Sequence, residues 1–505
     1  KIFEKIRVTG FTETNRRITE IQTNQGVIAC DLIAITAGQW SRHLGLLCGV
    51  AIPLHSAEHM YIVTDTIQGV TPNLPVLRDP DGYIYFKEEV GGLVMGGFEP
   101  NAKPWGMQGI PDSFEFQLLP DDWDQFQILM ENALHRVPAL EQATIKTFLN
   151  GPESFTPDNQ FILGQAPERD NVFVGAGFNS MGIASAGGAG KALAEWIIEG
   201  EPTLDLWPVD IRRFAPFNNN ARWLHDRVKE TLGLHYAMPW PNRELDSARP
   251  FRCSPLYSRL AAQGAVFGSK MGWERANWFA PPGQPAETHY SYQRQNWFAH
   301  TQQEHLTTRQ AVTLFDMSSF AKFLIQGKEA LAALQYLCAN DLDVPIGQTV
   351  YTPMLNQRGG FESDLTIARL DHDQFMLVTG TAQSIRDLDW MMRHIPAPLT
   401  QLQISDITTR YAVLAVMGPK ARALLSHLTD ADLASHAFPF GHIKPISLGY
   451  ATGFASRRSY MGELGWELYI PTEFAALVYD ELHRHGAPYR LRDAGYYAVD
   501  SLRLE

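Results

Sequence analysis

The sequence predicts an α/β domain followed by an α+β domain. Two short apolar runs, Leu32–Ile35 and "NVFVGAG" at 171–177, each lead to a glycine, and the second precedes a helical pattern. Such runs are typical of buried strands in an α/β sheet. Beyond residue 258, a predicted helix is followed by two strand–turn–strand patterns, which favours an α+β arrangement for the second part.

The first part of the chain contains further predicted strands and a helix. At 16–38 a hairpin leads into the buried strand Leu32–Ile35, which stops at Ala37–Gly38, where a ligand can approach the strand's carboxyl end. Within 59–99, "HMYIVTD", "GYIYFKEE" and "GLVMGGFE" predict strands separated by turns such as "RDPDG". Apolar residues at helical spacing predict a helix over 121–137.

The segment "VGAGFNSMGIASAGGAGKALAEWIIEG", residues 174–200, places several glycines at the start of a predicted helix. A Walker loop would need Ser or Thr after Gly190–Lys191, but Ala192 stands there. A dinucleotide fingerprint would need G-x-G-x-x-G, and the glycines of "GAGFNSMG" have a different spacing. Neither phosphate-binding motif is therefore present.

We interpret this segment as a helix N-terminus directed at a ring that becomes anionic. Two-electron reduction of a flavin places negative charge near its N1 and C2 carbonyl. Backbone N–H groups and the helix dipole would stabilise that charge. From the residues alone, a glycine-rich helix packed closely on a sheet is the alternative.

Three regions follow from these patterns: a first domain at 1–202, a partly helical connecting segment at 203–257, and a second domain at 258–505. In the second domain a helix is predicted over 329–341. "TVYTPMLNQRGGFESDLTIARL" predicts two strands joined by a turn at Arg358–Gly360, and "RRSYMGELGWELYIP" repeats that arrangement.

Charge and composition exclude several classes of partner. The net charge is −13, and Lys and Arg are scattered rather than clustered, which argues against nucleic-acid binding. No apolar run approaches the roughly 18 residues of a membrane span. The four cysteines form no C-x-x-C pair, so we expect neither a metal site nor a disulfide framework. Lys1 is not an initiator methionine and "AVDSLRLE" ends within an apolar pattern, so we expect a fragment of a longer chain.

Four motifs together resemble the dimethylglycine dehydrogenase and sarcosine dehydrogenase family: "GPESFTPDNQFILGQAP", "AGFNSMGIASAGGAGKALAEWI", "YTPMLNQRGGFESDLTIARL" and "SYMGELGWELYIP". The resemblance implies part of an FAD-dependent, amino-acid-oxidase-like domain joined to an aminomethyltransferase-like (GcvT-like) folate-binding domain. FAD would take a hydride from the N-methyl carbon of sarcosine or dimethylglycine, and tetrahydrofolate would capture the carbon as 5,10-methylenetetrahydrofolate. Electrons would leave to a flavoprotein carrier or to oxygen, in the bacterial cytoplasm or the mitochondrial matrix.

The resemblance also implies site residues in the first domain. His59 and Tyr85 match the active-site His and Tyr near the flavin, with Tyr83 as an alternative to Tyr85. Val8 matches a backbone contact to the adenine, and Trp40 would pack near the flavin. The loop at the isoalloxazine ring would comprise Gly177, Phe178, Asn179, Ser180, Met181, Gly182 and Ile183.

In the second domain, Asp364 matches the acidic residue that handles the reacting nitrogens of the folate. Glu467 matches the carboxylate that pairs with the N–H groups of the pterin. Further candidates for the same pocket are Tyr351, Thr366, Tyr460 and Arg503.

Two other functions are compatible with the sequence. One is a flavin-independent, folate-dependent aminomethyl transferase whose first domain is a scaffold. The other is a non-catalytic folate-binding module. The combination of His59, Tyr85 and the ring-facing loop argues against the module.

Overall fold

The computed structural model describes residues 1–505, which divide into two compact units, Lys1–Arg249 and Pro250–Glu505. Most of the predicted connecting segment, 203–257, lies within the first of these units. The physical reason is hydrophobic burial, because Val228 and Leu232 pack into one cluster with Ala57 and Phe155 of the same unit. None of the helices combines the length and apolar character needed to cross a bilayer.

The first unit contains twelve strands and four helices. The strands are β1 (Val8–Thr14), β2 (Arg17–Thr23), β3 (Gly26–Ala29), β4 (Ile33–Ile35), β5 (His55–Thr64), β6 (Leu77–Asp79), β7 (Ile84–Glu89), β8 (Gly92–Gly97), β9 (Pro104–Trp105), β10 (Ile145–Phe155), β11 (Ile162–Gln165) and β12 (Val172–Ala176). The helices are α1 (Ser41–Cys48), α2 (Trp123–Arg136), α3 (Gly182–Glu199) and α4 (Ala221–Thr231).

These strands form three sheets. β1, β2 and β3 are antiparallel neighbours, and β12 lies between β11 and the parallel strand β4. The third sheet has the order β10-β5-β8-β7-β6, with β9 pairing with β5. The predicted hairpin, the buried strand at Ile33–Ile35 and the strands within 59–99 are confirmed.

One face of the third sheet packs on α2. Apolar side chains from alternate positions, among them Met60, Ile62 and Phe86, form a buried cluster with Phe126 and Leu129 of that helix. The helix begins where the Asp122 carboxylate accepts a hydrogen bond from the Gln125 backbone N–H at 3.0 Å. The opposite face of the sheet is thereby left for the polar residues described below.

The glycine-rich segment forms α3 directly after β12, as predicted. Its buried face includes Leu193 and Trp196, which pack with Leu163 and Phe173 of β11 and β12. The helix ends at Gly200, whose φ of 80° is favourable only for glycine. The start of α3 is thus held against the carboxyl end of β12.

The second unit contains thirteen strands and seven helices. The strands are β13 (Ala265–Lys270), β14 (Trp273–Phe279), β15 (Val312–Asp316), β16 (Ala321–Gln326), β17 (Thr349–Leu355), β18 (Phe361–Asp371), β19 (Gln374–Thr379), β20 (Gln403–Asp406), β21 (Tyr411–Met417), β22 (His442–Leu448), β23 (Ala451–Arg457), β24 (Gly465–Pro471) and β25 (Leu491–Asp493). The helices are α5 (Tyr257–Ala262), α6 (Phe298–Gln310), α7 (Ala330–Leu337), α8 (Ser384–His394), α9 (Ala421–Leu425), α10 (Ala475–Gly486) and α11 (Tyr496–Leu504).

The second unit is built on two large sheets. One has the order β22-β23-β24-β21-β15-β25 and is mixed, because β15 and β25 are parallel. The other has the order β17-β18-β19-β16-β20 and is antiparallel throughout. β17 and β18 are antiparallel and joined by a turn at 356–360, which confirms the first predicted strand–turn–strand unit. In the second predicted pattern, "RRSYMGELGWELYIP", the second strand forms β24. Its antiparallel partner β23 lies earlier in the chain than predicted and includes only Arg457 of that stretch. The helix predicted over 329–341 is shorter, because the chain becomes extended at Cys338.

Candidate active site

The face of the six-stranded sheet opposite α2 carries a row of polar side chains across neighbouring strands. Arg78 of β6 lies opposite Tyr85 of β7, Tyr85 lies opposite Gly96 of β8, and Gly96 lies opposite Tyr61 of β5. Directly paired residues of antiparallel strands place their side chains on the same face. Arg78, Tyr85 and Tyr61 therefore share one face.

The row continues onto β5 and β10. His59 stands two residues before Tyr61 and pairs with Gly151, and Glu153 follows Gly151 by two residues. Because side chains alternate along a strand, His59 and Glu153 lie on the same face as Tyr61. One sheet face thus carries an imidazole, a carboxylate, two phenols and a guanidinium.

Gly96 allows the Tyr85 ring to lie across β8. A Cβ atom at Gly96 would lie 2.5 Å from Tyr85 Oη and 2.8 Å from Tyr61 Cβ. Tyr83, the alternative candidate, lies in the preceding turn with φ of 62° and packs into the α2 cluster on the other face. Tyr85 is therefore the tyrosine on the face of His59.

Two histidines meet at one phenylalanine ring. The Phe98 ring centroid lies 4.8 Å from that of His59 and 4.6 Å from that of His235, in the helical turn Gly233–His235. Burial lowers the pKa of His59 to about 4 and also lowers the pKa of His235, so both rings are neutral at pH 7. Nδ1 of His59 and Nε2 of His235 are buried and have no hydrogen-bond partner. Unpaired buried polar atoms of this kind indicate a ligand site.

Glu153 connects this face to the glycine loop. The Ser180 hydroxyl donates a hydrogen bond to the Glu153 carboxylate. Burial raises the pKa of Glu153, and the bonds from Ser180 oppose that rise. Glu153 also lines a cavity of about 430 Å³ at the start of α3.

That cavity fits a flat, electron-poor ring such as a flavin. Its lining includes Gly177–Ser180, Gly182 and Gly190, so bare backbone faces the space. Gly177 has φ of 66°, and a Cβ there would lie 2.5 Å from Leu54 Cδ2, whereas a Cβ on Gly190 would meet nothing within 4 Å. No side chain caps the N-terminus of α3, so its first N–H groups are available to a ligand.

The loop residues divide into two groups. Gly177, Phe178, Asn179, Ser180 and Gly182 line the cavity. The Asn179 side chain shapes the loop itself, because its Oδ1 accepts from the Thr156 backbone N–H at 2.9 Å and its Nδ2 donates to the Gly177 carbonyl at 2.8 Å. The other two predicted contacts, Met181 and Ile183, are exposed and do not line the cavity.

Val8 and Trp40 lie together in a neighbouring cavity of about 650 Å³. Gln39 and Ser56 also line this second cavity, while Gly38 lines the first. The structure therefore brings Val8 and Trp40 together and places them apart from the glycine loop. A cofactor with two separate ends would suit the pair of cavities.

In the second unit, Tyr351 and Asp364 form a direct hydrogen bond. Tyr351 Oη donates to Asp364 Oδ2 at 2.6 Å, and this bond raises the pKa of Tyr351 to about 12. Both side chains are exposed. Tyr351 pairs with Thr366 across β17 and β18, so all three predicted residues lie in one patch.

A half-buried carboxylate, Glu467, is linked to this patch through Arg458. Burial raises the pKa of Glu467, and the Arg458 guanidinium and the hydroxyl of Tyr469, which donates to Glu467 Oε2 at 2.9 Å, oppose that rise. Arg458 donates to the Thr366 hydroxyl, and its buried Nε has no partner. A carboxylate and an unpaired N–H donor suit a pterin, which offers both donors and acceptors.

Tyr460 and Arg503 form a pair at the edge of the same patch. Arg503 Nη1 donates to Tyr460 Oη at 2.5 Å, and the guanidinium carbon lies 5.4 Å from the ring centroid. Tyr460 also acts electrostatically on Tyr351. The structure therefore brings the six predicted residues of the second domain into one region.

Sequence reasoning missed five residues of these sites: Arg78, Phe98, Glu153, His235 and Arg458. Glu153 lies within "GPESFTPDNQFILGQAP", and a charged residue in a strand that leads into the buried Phe155 is a pattern that could have identified it. His235 lay in the segment interpreted as a connection, where no pattern distinguished it.

Three family models match the chain. "FAD dependent oxidoreductase" matches residues 1–196, "FAD dependent oxidoreductase central domain" matches 199–254, and "GCVT N-terminal domain" matches 256–505.

Curated relatives match over the whole chain. 4-Methylaminobutanoate oxidase (formaldehyde-forming) of Paenarthrobacter nicotinovorans is 40% identical, covering 100% of this chain and 61% of the relative. The mitochondrial pyruvate dehydrogenase phosphatase regulatory subunit of Mus musculus is 40% identical (100% and 58%), and the mitochondrial sarcosine dehydrogenase of Mus musculus is 35% identical (100% and 59%). The chain thus spans about three fifths of the length of these relatives.

Proposed function

We propose that this chain is a member of the dimethylglycine dehydrogenase and sarcosine dehydrogenase family, with FAD and tetrahydrofolate as cofactors. In this proposal it oxidises an N-methyl amino acid and transfers the methyl carbon to tetrahydrofolate. The substrate is sarcosine or dimethylglycine, and the folate product is 5,10-methylenetetrahydrofolate. The electron acceptor is a flavoprotein carrier or oxygen.

The observation that supports this proposal most is the polar sheet face beside the glycine loop. It holds two neutral imidazoles with unpaired nitrogens, next to a cavity bordered by the N-terminus of α3. The loop backbone at 177–182 and the start of α3 would hold the flavin ring. FAD, when bound, accepts a hydride from the N-methyl carbon.

The side chains of the face prepare the amine for that oxidation. An amine must be unprotonated to release a hydride from its methyl carbon, and a poorly hydrated site favours the neutral form. His59 is neutral at pH 7 and can accept a hydrogen bond or a proton at Nδ1. Burial raises the pKa of Tyr85 to about 12, so its phenol remains a hydrogen-bond donor.

The second unit supplies the groups for capture of the carbon. Asp364 would hold the proton that leaves the folate nitrogen as that nitrogen attacks the iminium carbon. Tyr351, which donates to Asp364 at 2.6 Å, orients the carboxylate. Glu467 would accept hydrogen bonds from the pterin, with Arg458 beside it to stabilise its charge.

A regulatory role is the second candidate, because a relative with 40% identity is named as a phosphatase regulatory subunit. The two functions differ in whether an amine is consumed. The flavin-independent aminomethyl transferase differs from the proposed oxidising enzyme because it would act without reducing a flavin.

The test follows the methyl carbon in the full-length protein loaded with FAD. Sarcosine labelled with ¹³C in its methyl group is added without oxygen, with and without tetrahydrofolate, and the carbon is followed by NMR. We expect labelled methylenetetrahydrofolate with folate and labelled formaldehyde hydrate without it. Label that stays on sarcosine, and likewise on labelled dimethylglycine, would contradict the proposal and favour the regulatory role.

A further inference from the structure

We propose that Arg78 anchors the carboxylate of the substrate, so that the site selects N-methyl amino acids over N-methyl amines that lack an anionic group. This inference rests on the proposed function and assigns a specificity-determining residue to the same sheet face.

Arg78 stands at the end of the polar row. It pairs directly with Tyr85 across β6 and β7, so its side chain leaves the sheet on the face of the imidazoles. Its guanidinium carbon lies 5.8 Å from the ring centroid of Tyr236, a residue of the aromatic cluster around Phe98. The guanidinium is thereby held over the apolar wall of the site.

Arg78 has no carboxylate partner, although acids are close in sequence. The neighbouring Asp79 is engaged by Arg136, with Nε 2.7 Å from Oδ2. At the other end of the hairpin, Glu89 pairs with Lys87 at 2.9 Å. Arg78 forms no ion pair, so its charge is available to an anionic ligand.

The charges around the site also orient a bound substrate. Arg78 and Glu153 act with opposite sign on Tyr85 and on His235, with Arg78 at the β6 edge and Glu153 on β10. A carboxylate is attracted toward Arg78 and repelled by Glu153. The ammonium group of the arriving zwitterion, which loses its proton before oxidation, is attracted toward Glu153. The amine nitrogen then lies toward Glu153 and the cavity at α3, where the methyl carbon is oxidised.

The test compares two substrates in the full-length holoprotein. Anaerobic flavin reduction is measured with sarcosine and with sarcosinamide, in which an uncharged amide replaces the carboxylate. For Arg78→Met we expect the half-saturating concentration of sarcosine to rise about 10- to 100-fold, as for loss of a charge-assisted hydrogen bond. The value for sarcosinamide and the limiting rate with sarcosine should change less than about threefold, and Arg78→Lys should restore part of the affinity.

Arg17→Met is the matched control, because Arg17 is an exposed arginine of the separate sheet β1-β2-β3. It should leave both substrates unaffected. An equal rise for both substrates in Arg78→Met, or no rise for sarcosine, would overturn the anchor while the proposed function stands.

A binding measurement keeps the anchor testable if no amine is oxidised. The probe is the thioether analogue of sarcosine, with sulfur in place of nitrogen, titrated calorimetrically into wild type and Arg78→Met. Binding weakened at least about tenfold by the substitution supports the anchor even where the proposed function fails. Equal binding to both proteins, or no binding to wild type, overturns it.

Discussion

Replacing Gly96 by alanine tests whether Tyr85 lies across β8 as described. The new Cβ would lie 2.5 Å from Tyr85 Oη and 2.8 Å from Tyr61 Cβ, closer than carbon atoms pack, so the tyrosine ring has to move. Overpacking of this kind costs about 1–3 kcal/mol of unfolding free energy. For a unit of this size, that corresponds to a fall in Tm of roughly 3–10 °C. Displacement of the phenol should also slow flavin reduction by about a hundredfold.

Gly151→Ala is the matched control on the same sheet face. A Cβ there would meet only Leu118 Cδ2, at an ordinary distance of 3.8 Å. We expect Gly151→Ala to be neutral or to stabilise by up to about 1 kcal/mol, since alanine restricts the unfolded chain. Thermal unfolding followed by circular dichroism and anaerobic flavin reduction measure both effects. Equal Tm values and equal rates for the two variants would refute the placement of Tyr85.

Three further predictions concern the titration of His59, the capture of the methyl carbon by tetrahydrofolate, and the contribution of Glu304 to the stability of the second unit. The pKa of His59 is about 4 in the folded state against 6.5 unfolded, so the unfolded state binds more protons between these values. Unfolding free energy should therefore fall by on the order of 3 kcal/mol on acidification from pH 6.5 to 4, and urea unfolding of His59→Gln should lack this component. An unchanged slope in that variant would contradict the buried, neutral ring. Asp364→Asn should reduce methylenetetrahydrofolate formation about a hundredfold while amine-dependent flavin reduction stays within about twofold of wild type. NMR of the labelled carbon should then show formaldehyde, and an unchanged folate product would remove Asp364 from the capture step. Glu304 accepts from the backbone N–H groups of Phe279 at 2.8 Å and Gly495 at 2.9 Å, so Glu304→Ala should cost about 3 kcal/mol. Glu304→Gln, which retains one acceptor oxygen, should cost clearly less in urea unfolding, and equal losses would contradict the assignment.

Local patterns were sufficient for much of the fold. The glycine-rich helix α3, the strands around His59 and Tyr85, and the turn between β17 and β18 are each encoded within short stretches, so periodicity and turn residues predicted them. The segment after residue 203 was not predictable in this way. Its role depends on Val228 packing against residues far earlier in the chain, and no local pattern specifies that contact.

The candidate site depends on pairing between distant strands. β5 and β10 are separated by about ninety residues, and only their register places Glu153 near His59. The partnership of Arg78 with Tyr85 likewise depends on the turn between β6 and β7. In the second unit, the side chain of Arg458 reaches Thr366 across more than ninety positions. Sequence motifs identify individual candidate residues, and the pairing of distant strands determines which of those residues lie close together.

The most direct measurement is an anaerobic titration of the full-length, FAD-loaded protein with sarcosine and then with dimethylglycine, followed through the visible absorption band of the flavin. We expect at least one of these amines to bleach the band, and the lower half-saturating concentration identifies the preferred substrate. A band that neither amine bleaches would contradict the assignment of the polar sheet face as the site of N-methyl amino acid oxidation.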